Sequence, residues 1–367
     1  MSDFILFTES SPNVGGQELQ LMQQMKLLEG AGYRPVLACR PGTRVAEVAE
    51  GKGLAILPLR FRNSAHPSTM LGLWRWMAAH RPALAICHSG HDCNNLALAA
   101  RLLPKRPFLL RSRTYQAGYP SAWTYNRLVD ATMLPSECLR QALLRNPAIR
   151  PERLHVVYPG IDFARLDLAA ERPLPENISA WLAREQGPVL VHAAMLRGEK
   201  GHRVLLQALA ALREQWPTLR YVIAGEGGER GAIEGEIERL GLRDRVLLAG
   251  VVDPIGPLLR RADIVVMPST YKPLGMSQIE SLGLGVPVVA SRTGCIPETV
   301  SDGVSGLLAA PGDVGEWTQA LGRALSDLPG MRAMADAGRR DVRQRFSVEH
   351  NLDSILQLAG LPRQARG

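Results

Sequence analysis

The stretch Ala262-Asp263-Ile-Val-Val-Met267-Pro268-Ser269, followed at Ser277 by Gln-Ile-Glu280-Ser-Leu-Gly-Leu-Gly285-Val-Pro287-Val-Val-Ala290-Ser291, decides the fold class. Both ends are short, β-branched apolar runs with no polar alternation, as in strands covered on two faces. Between them lies one amphipathic helical segment, broken by Gly285-Val-Pro287. Strand, helix and second buried strand make one βαβ unit of a parallel sheet.

The alternation continues in both directions. In the second half it predicts strands at Val189–Ala193, Arg220–Ala224, Val246–Leu248 and Gly306–Ala309. Helices are expected there at Arg203–Gln215, Ala232–Leu240, Ile255–Arg261 and Gly315–Leu325. The first half repeats the plan, with strands from Phe4–Phe7 to His155–Tyr158 and helices such as Gln17–Leu28 and Met70–His80. Residues 163–188 hold Pro173, Pro175 and Pro188, show no periodicity before Ile178–Arg184, and read as a linker. The expected fold is α/β, with two Rossmann-like doubly wound domains facing a central cleft. Residues 1–165 and 166–346 form them, and a C-terminal helix at about 347–367 can pack back on the first. A length of 367 residues suits two such domains.

Composition narrows the function classes. With 46% hydrophobic and 21% charged residues the chain is neither disordered nor fibrous. No apolar run approaches the ~18 residues of a spanning helix. The N-terminus enters a strand-like run without a basic region, unlike a signal peptide. Cys39, Cys87, Cys93, Cys138 and Cys295 are scattered without a Cys-x-x-Cys pair, which suits a reducing, cytoplasmic setting. Net charge is +8, but residues 1–165 carry 20 Lys/Arg against 11 Asp/Glu, and residues 166–367 carry 23 against 24. A basic half suits a nucleic acid, an anionic membrane face or a phosphorylated substrate, or is ordinary solubilising charge. Nucleic acid ranks lowest, because no binding signature for it occurs.

Glycine turns that open helices are the first chemical feature. Ser11-Pro-Asn-Val-Gly15-Gly16 links the first strand to the first helix, where free amides suit an anion. Gly225-Glu-Gly227-Gly228-Glu-Arg230 has Arg where a dinucleotide fingerprint needs its third glycine. No Walker loop, nucleophile elbow, zinc spacing or Asp-x-Asp is found, so no metal is expected. In the second half, Glu280 near a helix start can accept both hydroxyls of a ribose. Amides of Leu274, Gly275, Met276 and Ser277 can meet a diphosphate.

With these motifs in place the chain resembles the retaining nucleotide-sugar glycosyltransferases of GT-B fold, family four (group 1). Several of these build lipopolysaccharide and other surface glycans. The resemblance rests on Gly15-Gly16, Val156-Val-Tyr-Pro-Gly160-Ile-Asp162, Leu196-Arg-Gly-Glu-Lys200-Gly201-His, Ile223-Ala-Gly-Glu-Gly227 and residues 263–306. It implies a UDP- or GDP-linked donor, held mainly by the second domain without a further cofactor. The acceptor, a glycan, lipid-linked or phosphorylated, would lie on the basic first domain, with peripheral contact to the inner face of the cytoplasmic membrane. Lys200 falls on the phosphate-binding lysine, Glu280 on the ribose-binding glutamate of the Glu-x(7)-Glu motif, and Gly16 beside the donor phosphates. The implied donor set also takes in Gly15, Gly225 and Val251. Two positions depart. Lys272 stands where the first glutamate reads the sugar, and Met195 replaces the usual arginine, with Arg197 nearby as a substitute. These departures leave room for a different donor or for a nucleotide-binding homologue without activity; a GT-B-type epimerase is the other alternative.

The first half offers two further candidates at strand ends. His91 and Asp92, in His88-Ser-Gly-His91-Asp92, can bind acceptor hydroxyls or act as acid/base, or be satisfied structurally. Arg111 and Arg113 can hold a phosphorylated or acidic acceptor, or be a solvated pair. Trp74 and Trp76 are two apart on a helix, which suits core packing better than a shared membrane face. The expected mechanism stabilises the leaving diphosphate with Lys200, helix-end amides and Arg197. Attack comes from the front side, assisted by the departing phosphate.

Overall fold

The computed structural model describes residues 3–115, 118–271 and 274–363. The chain divides into two compact units, Met1–Gly160 with Val348–Gly367, and Ile161–Ser347. The first contains β1 (Phe4–Thr8), α1 (Gly16–Gly30), β2 (Arg34–Cys39), α2 (Arg44–Gly51), β3 (Ala55–Pro58), α3 (Pro67–His80), β4 (Leu84–Cys87), α4 (Gly90–Arg101), β5 (Phe108–Ser112), β6 (Ala131–Leu134), α5 (Glu137–Leu144) and β7 (Leu154–Val156). The second contains α6 (Phe163–Ala170), α7 (Glu176–Ala183), β8 (Val189–Ala193), α8 (His202–Ala211), β9 (Arg220–Ala224), α9 (Arg230–Arg239), β10 (Val246–Gly250), α10 (Gly256–Arg261), β11 (Ile264–Met267), α11 (Met276–Gly283), β12 (Val288–Ser291), β13 (Leu307–Ala309), α12 (Val314–Ser326) and α13 (Leu328–Arg345). The last helix, α14 (Val348–Leu358), belongs to the first unit.

Each unit is a doubly wound parallel sheet. The first has seven strands in the order β3-β2-β1-β4-β5-β6-β7, the second six in the order β10-β9-β8-β11-β12-β13. The sequence dictates this, because alternate residues of one strand feed opposite cores. Ile5 and Phe7 join the cluster of Leu21, Met25 and Leu37, while Leu6 joins that of Leu73, Leu96 and Leu109. Each such side chain, fully buried, contributes roughly 1.5–3 kcal/mol. Strand order reverses between β1 and β4 and between β8 and β11, and at such a switch point a crevice opens at the carboxyl ends.

In the first unit α14 returns onto α1. Leu352, Ile355 and Leu356 enter the same cluster as Leu21 and Met25. Asn351 Oδ1 accepts from Gln24 and its Nδ2 donates to the Tyr158 carbonyl at 2.6 Å. Trp74 and Trp76 pack against the core on α3; Trp76 stacks on His80 at 4.5 Å and meets Phe4 edge-on at 5.8 Å. Among the described residues no helix is long and apolar enough to cross a membrane.

Residues 163–188 are not a linker. The Asp162 carboxylate caps α6 by accepting the Arg165 amide at 2.9 Å, and two helices occupy the segment. The division between units falls at Gly160/Ile161, ahead of the boundary expected after residue 165, because Ile161 donates to the Phe346 carbonyl at 2.7 Å. Arg343 then clamps α6 to α11. Its guanidinium lies 5.1 Å over the Phe163 ring, pairs with Asp167 at 2.5 Å and donates to the Gly283 carbonyl at 2.9 Å. A Cβ on Gly283 would sit 2.3 Å from the Phe163 ring, so the two helices touch at a glycine. Phe163→Ala should therefore cost about 3–5 kcal/mol in equilibrium urea unfolding, as for a buried aromatic. A true linker position would stay within about 0.5 kcal/mol.

Candidate functional site

In the second unit three loops meet at the carboxyl ends of β8 and β11. After β8 the chain turns through Met195 and Arg197 into a short 3₁₀ turn at Gly198–Lys200, and Gly201 at φ +72° opens α8. A Cβ on Gly201 would stand 2.0 Å from the Pro268 carbonyl oxygen, so only glycine lets the Lys200 loop lie against the loop leaving β11. Hydrogen bonds stitch the contact. The Thr270 amide donates to the Glu199 carbonyl at 2.9 Å, the Ser277 hydroxyl to the Ala193 carbonyl at 2.9 Å, and the Thr293 hydroxyl to the Thr270 carbonyl at 3.2 Å.

This brings the first turn of α11 beside Lys200. Gly275 is the residue before the helix, and it supplies no side-chain cap to the helix amides. Lys200 keeps 19% of its side chain exposed, with its ammonium 3.7 Å from the Glu199 carboxylate, a loose pair. Glu280 is half-buried in the second turn of α11, Leu274 is half-buried and Met276 exposed. Arg197 and Met195 are both exposed, while Leu196 between them is fully buried and anchors the turn. Lys272 lies outside the described residues. Gly225, at φ +156°, ends β9 against the Ala194 carbonyl, 2.0 Å from where its Cβ would be, and Val251 is exposed after β10.

Two groups here carry no warning in the sequence reading. Gln278 is buried under the start of α11, its Nε2 donating to the Thr299 hydroxyl at 3.1 Å and its Oε1 enclosed without a partner among the described residues. A Cβ on Gly275 would collide with that side chain at 1.7 Å. The pattern of Gly275 followed three residues later by Gln is a helix-start signature that could have marked it. Beneath the Lys200 loop the His192 and His202 rings stack at 4.4 Å, and His192 Nδ1 lies 2.8 Å from the Tyr221 hydroxyl. Burial, reinforced by the Lys200 charge, pushes His202 down to about 4, so it is neutral near pH 7.

The first unit gathers polar groups at its own switch point. Asp92 is fully buried, and its two oxygens accept from the His88 and Ser89 amides at 2.9 and 2.8 Å, the Thr8 hydroxyl at 2.9 Å and the Ser89 hydroxyl. This corrects the pairing suggested by the sequence. Asp92 holds the β4–α4 turn, while exposed His91 turns to Ser64, 2.8 Å from its Nδ1. Both oxygens are engaged by these donors. Glu9, which the sequence reading passed over, is buried after β1, and desolvation raises its carboxyl above the usual range, opposed by the His88 charge. It accepts from the Ser11 amide and from Gln17 Nε2, both at 2.8 Å, and the Gln17 carbonyl accepts from Thr114 at 2.8 Å. That chain ties the loop before Gly15 and Gly16 to the loop after β5. An acidic residue straight after an apolar strand was the available signal.

Gly15 precedes α1 and its amide donates to Glu18 at 2.7 Å; a Cβ on Gly16 would meet open space. Arg111 is only 4% exposed, its guanidinium 5.3 Å over the Tyr125 ring, with Nε and Nη1 enclosed and unpartnered among the described residues. Burial and the Arg111 charge push the Arg113 guanidinium down. The two arginines are thus not a solvated pair.

Known proteins of similar sequence and fold identify the family. Residues 14–165 match the model described as Glycosyltransferase Family 4, and residues 175–341 that described as Glycosyl transferases group 1. The chain is 30% identical to a D-inositol 3-phosphate glycosyltransferase of Xylanimonas cellulosilytica over 88% of its own length and 83% of that protein. It is 33% identical to a 2-deoxystreptamine glucosyltransferase of Streptomyces kanamyceticus, covering 62% of this chain and 59% of that relative. A Rickettsia africae glycosyltransferase structure superposes with a TM-score of 0.84 at 19% identity, over 97% of both chains. Anabaena HepE in complex with UDP gives 0.81 at 22% identity, over 97% of this chain and 99% of that one. Two Rossmann-like units of GT-B type, each family model falling on one of them, settle the lineage: the chain belongs to the group 1, family 4 glycosyltransferases.

Proposed function

We propose that the chain transfers a glycosyl group from a nucleotide-sugar, bound on the second unit, to a hydroxyl of an acceptor bound on the first. The observation that carries this is the Lys200 loop locked to the uncapped first turn of α11. A compact cation and a row of helix amides at one place form a receptor for a diphosphate. Glu280, one turn further on, accepts the ribose hydroxyls, and Gly225 and Val251 border the same end of the sheet. Lys200, with Arg197 from the exposed turn, neutralises the charge that develops on the departing diphosphate, so the transfer needs no divalent metal. With Asp92 committed to its turn, the departing phosphate takes the acceptor proton, and attack from the same face retains the anomeric configuration. HepE was solved with UDP and UDP-glucose, which makes a uridine donor the first to test.

The acceptor in this reading is anionic. Burying an arginine without a counterion is costly, and an acceptor phosphate or carboxylate satisfies Arg111 by charge-assisted bonds. The relatives named for inositol 3-phosphate support a phosphorylated acceptor. Synthesis of a lipopolysaccharide or other surface glycan, with the basic half against an anionic membrane face, suits the same charge.

Three substitutions test this reading. Glu280→Ala should weaken UDP binding by about 1.5–3 kcal/mol in calorimetric titration, as for charge-assisted hydrogen bonds. Unchanged affinity in the folded variant would remove Glu280 from the ribose site. Arg111→Met should raise KM at least about tenfold for sugar-phosphate acceptors, the equivalent of ~1.4 kcal/mol, and leave neutral sugars and UDP affinity unaffected. Equal losses with charged and neutral acceptors would contradict the anionic assignment. Lys272→Glu should reorder the preferred donors, disfavouring those with an anionic substituent, because an ammonium only donates and a carboxylate only accepts. The same donor ranking and rate as wild type would place Lys272 away from the sugar.

A further inference from the structure

The second unit carries a basic cavity that the transfer reaction does not use. It measures about 310 Å³ and lies at the amino ends of β11 and β12. Its floor is apolar and buried: Ala262, Leu284, Val286 and Pro287. Arg260 and Arg261, from the last turn of α10, and Arg332, from α13, stand exposed around it.

The charge at this cavity is under-neutralised. Asp263 is the carboxylate in its lining, and its Oδ2 is already committed to the Val189 amide at 2.9 Å. Its Oδ1 lies 3.9 Å from Arg332, too far for a hydrogen bond. Arg260 and Arg261 have no ion-pair or hydrogen-bond partner among the described residues. Four other arginines of the unit, Arg230, Arg239, Arg292 and Arg345, each pair with a carboxylate at 2.9 Å or less.

A buried fourth arginine makes the same point independently. Arg220, the first residue of β9, is 2% exposed. Its Nη1 donates to the Leu182 carbonyl at 2.6 Å, but Nε and Nη2 are enclosed without partners among the described residues. It feels the charges of Arg261, Glu185 and Asp263, and its guanidinium is pushed down by burial first and by Arg261 second. Asp336 stands beside Gly285 at the cavity wall, and with Asp263 already committed the four guanidiniums still outnumber the carboxylates near them, which favours an added anion.

We propose that this cavity binds a phosphate-bearing small molecule at a site separate from the nucleotide-sugar. Guanidiniums from two helices match the oxygens of a phosphomonoester or diphosphate bidentately, and the apolar floor accepts the body that carries it. The volume lies at the lower end of the range for small-molecule sites. β11 and β12 have four residues each, about 13 Å at ~3.3 Å per residue, so a ligand at their amino ends stays clear of the Lys200 loop beyond their carboxyl ends. The occupied cavity would link α10 to α13 across the turn that ends α11, the helix whose other end faces the donor. This inference does not depend on the transferase reading.

The experiment uses the full chain and inorganic pyrophosphate, with Lys200→Ala to weaken competing binding at the donor loop. Calorimetry should show pyrophosphate binding in the Lys200→Ala protein, reduced at least tenfold when Arg260→Gln and Arg332→Gln are added. UDP affinity should be the same with the two glutamine substitutions as in wild type, which separates this site from the donor site. Cosedimentation with phosphatidylglycerol and phosphatidylcholine vesicles identifies the source of the phosphate. A loss of phosphatidylglycerol binding in the double glutamine variant points to a lipid headgroup, and vesicle binding that ignores the substitutions, beside altered pyrophosphate binding, points to a soluble ligand. Pyrophosphate affinity that is undetectable in the Lys200→Ala protein, or indifferent to Arg260→Gln and Arg332→Gln, would overturn the proposal.

Discussion

A parallel strand covered on both faces has no solvent side, and this constraint organises the molecule. Ile5, Leu6 and Phe7, or Val189, Leu190 and Val191, are all fully buried, so polar chemistry can only appear where the strands end. Each sheet reverses its strand order once, and there the connecting loops diverge and leave room. In the second unit that room is narrowed by backbone contact: the Lys200–Gly201 turn meets Pro268 at a distance only glycine permits. The shape of the candidate site is thus a consequence of how two loops share one crevice, before any side chain is considered.

The same constraint explains which parts of the fold could be read from sequence. The strands were legible because buried runs such as Ile264–Met267 admit almost no polar residue, and they reappear in the structure at the same positions. The segment after Gly160 was not, because its three prolines suggest a break while the deciding signal is one carboxylate. Asp162 caps α6, and Phe163 is held from outside by Gly283 and Arg343, contacts more than a hundred residues distant in the chain. Helix α13, rich in arginine and alanine, buries only the narrow stripe Met331, Ala335, Gly338 and Val342, two of them small residues, so its apolar signal is weak. Tertiary packing supplies what the local pattern lacks.

For the candidate site the division is similar. Lys200, Gly201 and Ser277 sit where motif spacing puts them, since short loops between rigid strands leave little freedom. Asp92 could not be read, because a carboxylate three residues into a helix serves equally as a cap or as a catalyst. What decides is the number of donors already aimed at it: four here, two of them backbone amides. Glu9 shows the converse. Its two accepted hydrogen bonds go to the flanking loop and to Gln17, and full burial disfavours its charge, so it links loops and keeps a carboxylate out of water.

The buried arginines carry the argument furthest. A guanidinium has five donors and cannot shed its proton, so it cannot escape burial by neutralising itself as a carboxyl or a lysine can. Glu9 and His202 shift their protonation to suit their surroundings; Arg111 and Arg220 have no such recourse. Each leaves two nitrogens enclosed and unpartnered, a desolvation cost of about 1–3 kcal/mol or more per group. Each also lies over an aromatic ring, Tyr125 at 5.3 Å and Trp181 at 5.7 Å, which offsets part of that cost while supplying no acceptor. Stability alone would favour an apolar residue of similar volume at either position. An anion from outside the chain would offset the fixed positive charge at either position, and the two positions lie on different sheets, one near a carboxyl end and one at an amino end, so a single anion would not serve both.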